Sequence, residues 1–308
     1  MRRYIVVRLL QGIVALSVAT IIIIGIARLT GNPVELMLPL DATKDAYEAM
    51  TRHLGLDKSL YIQYWVFITR AVKGEFGRSI HYRRPVMELI VDRAPATIKL
   101  AAAAALVSFL ISLPMGVLAA VKRDKWQDII AKGFAILGQS MPTFWLGILL
   151  VQVFAVEFRW FPPGGYRAGI QYWILPAITL GYHSTAGIVR LTRSAMLDVL
   201  GTDYVRLARI KGVPERVVIW KHALKNAFIP VVTFIGVIYI HFLMGSVVTE
   251  AIFAWPSVGM LAYEAVMKRD FPLIQGIIII FVGLYIVFNL VIDVLYVYLD
   301  PRVRYVKE

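Results

Sequence analysis

The sequence predicts an all-α integral membrane protein with six transmembrane helices, on three observations. The 308 residues are 59% hydrophobic, with a mean hydropathy of +0.69. Only 17% are charged, against about 25% in ordinary soluble domains. The apolar residues gather into stretches of roughly 20, the length at which a helix crosses a bilayer with its backbone groups satisfied internally. The net charge of +13 would suit a nucleic-acid partner, but the placement of the cations argues for membrane topology instead. The chain has no cysteine, so there is no disulfide framework, thiol nucleophile or Cys-ligated metal site.

The first span covers 4–29, around "IVALSVATIIIIGIA". Its apolar run outlasts a signal peptide and shows no clear small-residue cleavage pattern, so it reads as an uncleaved signal-anchor. The second covers 97–121 and the third 129–154, where Pro142 predicts a kink. The fourth, 172–196, is the weakest, because His183, Arg190 and Arg193 interrupt it. The fifth is 228–253 and the sixth 273–299. One further apolar piece, 61–72, is too short to span and reads as an interfacial or docked helix. The chain thus divides into an N-terminal span (1–30), a long external segment (31–96), a five-helix core (97–299) and a tail (300–308).

Six spans put both termini on one side. That side holds Arg2, Arg3, Lys122, Arg123, Lys125, Arg302, Arg304, Lys307 and the six cations of 203–226. The short loops opposite hold only Arg159, Arg167, Lys268 and Arg269. Lys and Arg concentrate in cytoplasmic loops, so both termini are expected in the cytoplasm of a multi-pass protein.

The stretch "DYVRLARIKGVPERVVIWKHALKN" (203–226) is then cytoplasmic, and it is unusually well punctuated. Thr202 is a candidate N-cap, with Asp203 in the first turn. A short helix follows and stops at Gly212, a natural residue for the left-handed position after a helix. Pro214 and Glu215 open a second helix. A loop that served only to fix orientation would not need two capped helices joined at one glycine.

Here the segment resembles the cytoplasmic loop of ABC-importer permeases, whose pattern is Glu-Ala-Ala, three residues, Gly, nine residues, Ile, one residue, Leu-Pro. Ala208, Gly212 and Leu224 fall on it, while Arg206, Leu207, His222 and Lys225 replace the Glu, the first Ala, the Ile and the Pro. The version "DYVRLARIKG…KHALKNAFIPVVT" is similar to the dipeptide and oligopeptide branch. So are "LGLDKSLYIQYW", "GEFGRS", "RAPATIKL", "RLTRSAMLDVL", "GSVVTEAIFAWPSVGML" and "DVLYVYLDPRVRY", in order along almost the whole chain. One departure is Ser257, where the family usually shows Pro-Gly; Gly259 is retained.

The resemblance implies a type I ABC-importer permease fold in a bacterial or archaeal inner membrane. A second permease would complete the pathway, two ATP-binding subunits would use ATP and Mg, and an external binding protein would deliver substrate, most simply short peptides. Within 197–226, Asp203, Tyr204, Ala208, Arg209, Lys211 and Gly212 would form the ATPase-coupling element, with Arg209 and Lys211 available to acids on the partner. Glu250 and Phe253 would lie near the external gate. His183 and His241 have two readings, pathway lining or hydrogen bonding to a neighbouring helix. Arg190 and Arg193 read as snorkelling cations, with Asp293 a candidate partner.

The chain has no means of its own to hydrolyse ATP. Its Lys58-Ser59 pair follows Asp57, where a phosphate-binding loop needs glycine. His-Glu-x-x-His and Gly-x-Ser-x-Gly are absent, so an intramembrane hydrolase is a poor fit. A proton-driven carrier would enlist His183, His241, Glu250 and Asp293, but leaves 203–226 without a task. Relatives that import nickel, glutathione or other small solutes remain open alternatives.

Overall fold

A computed structural model describes residues 2–29, 34, 38, 43–53, 57–245 and 247–299. The tail 300–308 and the side chain of Asp293 lie outside the described residues. Among those described there is no strand, only an isolated bridge between Arg78 and Pro85. The helices are α1 (Arg2–Leu29), α2 (Lys44–His53), α3 (Leu60–Val72), α4 (Val86–Val121), α5 (Trp126–Ser140), α6 (Thr143–Glu157), α7 (Gln171–Leu200), α8 (Asp203–Ile210), α9 (Glu215–Met244), α10 (Val247–Ile252), α11 (Val258–Met267) and α12 (Phe271–Leu299).

Among the described residues, three helices are long and apolar enough to span by length and composition: α4, α9, and α12 over Phe271–Ile292. The pair α5 and α6 meets the measure only together, bent by 106°. Pro142 explains the break: it pushes Met141 into the extended region (φ −89°, ψ 120°), and α6 restarts with Leu146 N–H donating to the Pro142 carbonyl. The kink expected there is therefore a full interruption. The expected fifth span also divides, because Gly245 (φ +75°) ends α9 and α10 starts two residues later. α4, in contrast, starts well before 97, at Val86.

The chain forms two compact units, residues 1–95 with 257–290, and 96–256 with 291–308. In the first, Phe76, Val86, Leu89 and Ile90 pack with Leu261, Ala265, Leu273 and Ile277, and Phe67 and Ala71 of α3 rest on that cluster. The 61–72 piece is thus a docked helix. Buried Asp270 accepts from Ser79 Oγ, His81 N–H and, as the cap of α12, Leu273 N–H. Tyr82 donates to Glu264; burial and that carboxylate push the phenol up to about 12, so it stays a donor. Ser257 caps α11 by accepting from Met260 N–H at 3.0 Å.

In the second unit, α4, α7 and α9 share a core that includes Leu100, Ala104, Leu180, Ile188, Val231 and Phe242. One end is closed by Val117, Ala120, Met196, Ala223 and Ala227. At the other, Trp255 Nε1 donates to the Ala96 carbonyl, and Leu175 packs on Phe253. So α4 and α7 run one way and α9 the other.

Contacts with α7 are made through small residues. An added Cβ at Gly116 would lie 2.6 Å from Thr192 Cβ, at Gly138 2.6 Å from Ala186 Cβ, and at Gly181 2.6 Å from Ser108 Oγ. Small side chains let helices approach closely where lipid removes the hydrophobic drive to associate. Asp128 meets Arg193, Gly138 meets Ala186 and Gly147 meets Thr179. The bent α5–α6 pair therefore runs antiparallel along most of α7.

Gly116→Leu is expected to lower the thermal midpoint of the purified chain in detergent, at a cost of about 1–3 kcal/mol. Gly133→Leu, where an added Cβ meets nothing within 4 Å, should leave it unchanged.

Candidate functional site

The 203–226 segment forms the short helix, the turn and the second helix that its punctuation predicts. α8 ends in a reciprocal motif at Gly212 (φ +76°): Gly212 N–H donates to Arg209 O at 3.0 Å and Val213 N–H to Ala208 O at 3.2 Å. An L residue is strained in that left-handed conformation. Thr202 does not cap α8 with its side chain; its hydroxyl donates backwards to Val199 O at 2.6 Å. Pro214 sits one residue earlier than expected, as the cap before Glu215 rather than the first helical residue.

Across the turn, Arg209 grips Glu215 with both arms, Nη2 to Oε1 at 2.8 Å and Nε to Oε2 at 3.1 Å. The guanidinium is thus paired inside the segment, whereas the sequence suggested a partner's acid. Asn226 Nδ2 donates to Tyr204 Oη at 2.8 Å, tying α8 to α9. Val205 and Val218 are fully buried. A π-helical stretch at Val218–Ala223 carries Trp220, Lys221 and His222 around a wide turn. Asp203, Lys211 and Gly212 are exposed and Ala208 half-buried.

The sequence reading missed the apolar side of this element. Tyr204, Leu207 and Ile210 recur every third residue along α8 and are all exposed, Ile210 by 82%. Their spacing was the available signal, hidden among Arg206, Arg209 and Lys211.

α7 leads directly into α8, and it is clamped seven residues before its end. Arg193 donates to Asp128 from Nε (2.6 Å) and Nη2 (2.8 Å). The Asp128 side chain is fully buried and also receives Lys132 Nζ at 2.9 Å and Asp124 N–H at 3.0 Å. The expectation of a snorkelling Arg193 is corrected by this pair: a buried carboxylate needs the cation inside. Arg190 is exposed.

With this architecture in view, comparison with known proteins is direct. Residues 112–305 match the family described as "Binding-protein-dependent transport system inner membrane component", and residues 1–101 its N-terminal counterpart, "Binding-prot-dependent transport system membrane comp, N-term". The chain belongs to this family. It is an inner-membrane, multi-pass permease subunit of an ABC importer, a transport component that works with ATPase and binding-protein subunits.

Among its relatives is the "Glutathione transport system permease protein GsiC" of Escherichia coli (strain K12), 40% identical over 306 residues, or 99% of this chain and 100% of that one. The protein of the same name in Shigella dysenteriae serotype 1 (strain Sd197) matches equally. Of solved structures, the inward-facing MetNI methionine ABC transporter gives a TM-score of 0.57 at 19% identity, covering 70% of this chain and 97% of that chain. That likeness concerns the fold alone.

The four residues considered for the pathway or external gate fall into two environments. His183 and His241 are exposed, and His241 Nδ1 donates to Val237 O of its own helix at 3.0 Å, not to a neighbouring one. Glu250 and Phe253 are buried. The Glu250 carboxylate fills the space where a side chain at Gly245 would go. Phe253 packs among Leu146, Leu150 and Leu175, and its carbonyl accepts from Gly165 N–H at 2.8 Å. In this conformation Phe253 serves packing, and it faces no open surface.

Asp128→Ala strands Arg193 in a largely buried position and is expected to cost about 3 kcal/mol, read as a lowered thermal midpoint in detergent. Arg206→Ala, whose partner Asp203 is fully exposed, should not move it.

Proposed function

We propose that this permease supplies half of an ATP-driven import pathway for a short peptide-like solute, with 203–226 as the element that receives movement from an ATP-binding subunit. The apolar stripe of Tyr204, Leu207 and Ile210 carries the proposal. Three large side chains stand in water on a helix fixed by the Gly212 turn and the Arg209–Glu215 pair. Such a patch on a rigid, charged element is a contact waiting for a partner.

The full assembly is one of six spans per permease: α1, α4, the bent α5–α6, α7, α9 continued by α10, and α12. Both termini and 203–226 face the cytoplasm, and 31–96 lies outside. A second, similar permease completes the pathway, two ATP-binding subunits use ATP and Mg, and an external protein delivers the cargo. Dipeptides and oligopeptides are the cargo suggested by the sequence pattern. The glutathione permeases among the relatives favour glutathione, itself a tripeptide, so both lines converge on a small molecule with peptide bonds and free carboxylates.

Ile210→Asp should weaken association with the ATP-binding subunit by about tenfold or more, the cost of losing one buried apolar anchor, measured by titrating that subunit onto the purified permease pair. Gly212→Trp should impair ATP-driven uptake into vesicles more than Lys211→Ala. An exposed ion pair contributes only about 0–1 kcal/mol, whereas position 212 demands a left-handed backbone. Full uptake in both Gly212→Trp and Ile210→Asp would remove the coupling role from this element.

A further inference from the structure

Away from the coupling segment, at the Ala96 end of the second unit, one cation sits in an aromatic frame. Lys99 Nζ donates to Tyr166 Oη at 3.1 Å and stands 5.7 Å from the Tyr166 ring centroid and 5.9 Å from that of Trp173. Trp255 meets Tyr166 and Trp173 edge-on, with centroids 5.0 and 6.3 Å apart. Trp255 is fully buried and fixed by its bond to the Ala96 carbonyl. Ala254, just before it, takes a left-handed backbone (φ 47°), a strained conformation for an L residue. Three segments far apart in sequence thus hold one ammonium in place.

The hydrogen-bonding capacity left over is all of one kind. Aromatic frames usually receive a cation from outside, but this one is filled by the chain's own lysine. Among the described residues no carboxylate lies within ion-pair distance of Lys99, whose ammonium keeps further N–H donors beyond the one given to Tyr166. Tyr166 accepts that bond and has its own O–H to donate. Trp173 Nε1–H, a donor only, is shut away from solvent with no acceptor. Lys99 and Tyr166 are both exposed.

We infer that Lys99, Tyr166 and Trp173 form a receiving site for a carboxylate of the transported solute. Lys99 supplies the charge, Tyr166 orients the ammonium, and the rings of Trp173 and Trp255 exclude water on the far side. The class of ligand follows from the two exposed donors: the Lys99 ammonium and the Tyr166 O–H together call for an anionic group that accepts from both. The inference rests on the peptide-like cargo proposed above.

The test uses the complete importer, with both permeases and the ATP-binding subunits, in nanodiscs without the binding protein. Equilibrium dialysis measures radiolabelled glutathione and alanyl-alanine, each beside its methyl-esterified form. For wild type, esterification should weaken binding by about tenfold or more, the value of a hydrogen bond to a charged group. Lys99→Met, which keeps an apolar stem in the frame, should bind the acid and the ester alike, while Lys99→Arg keeps the preference for the acid. Tyr166→Phe should reduce the preference without abolishing it.

A wild type that does not distinguish acid from ester overturns the site. So does a Lys99→Met importer that still does. A change confined to affinity for the binding protein also overturns it, by making Lys99 a docking residue for an acidic side chain. ATP-driven import of the same solutes into vesicles tests the cargo separately. Discrimination at Lys99 without import would sink the cargo reading and leave the site, whereas import without discrimination would sink the site.

Discussion

The position of α7 is the constraint on which the second unit depends. A helix in lipid gains little from hiding apolar side chains against a neighbour, so what fixes it is how closely backbones can approach and which polar groups must be satisfied. α7 is held both ways. Gly116 and Ser108 of α4, Gly138 of α5 and Gly147 of α6 bring three elements against it, at Thr192, Gly181, Ala186 and Thr179. Such contacts have no slack, since one methyl group at 116 or 138 would overlap an atom of α7.

The Asp128–Arg193 pair adds a chemical tether to that steric fit. Its carboxylate is cut off from water and takes four donors from Arg193, Lys132 and the backbone of Asp124. One turn later Met196 enters the apolar cluster with Ala120 and Ala223, and a few residues on α8 begins. The route from the exposed stripe of α8 into the packed helices therefore passes through no flexible linker. At the other end of α7, Trp173 stands in the frame around Lys99. One helix thus joins the proposed coupling element to a wall of the proposed carboxylate site, a path along which nucleotide-driven movement would reach the solute.

What was legible in the sequence, and what was not, follows from the range of the interactions. Gly212 and Pro214 mark their turn because backbone preference is local, and the family pattern around Ala208 and Leu224 is contiguous. The α5–α6 break was signalled by Pro142, though not its size. Other features needed the third dimension. Nothing near Arg193 points to Asp128, 65 residues earlier, and Asp293 was the partner expected because it lies inside an apolar span. The Lys99 frame draws on 99, 166, 173 and 255, and no periodicity joins these. Thr202 has the right side chain for a cap, yet its hydroxyl found the Val199 carbonyl one turn back. The division of the fifth span was visible as Gly245 but lost in the apolar run on both sides of it.

The central claim is that α8 is the surface through which an ATP-binding subunit acts on this permease. This chain has no cysteine, so one introduced at position 210 is its single labelling site. A single cysteine at Ile210, labelled with a photoactivatable benzophenone in the intact importer, is illuminated in the membrane and its adducts are identified by mass spectrometry. The account predicts an adduct with the ATP-binding subunit whose yield changes when ATP is added. Adducts with lipid or the second permease alone, with or without nucleotide, would contradict it.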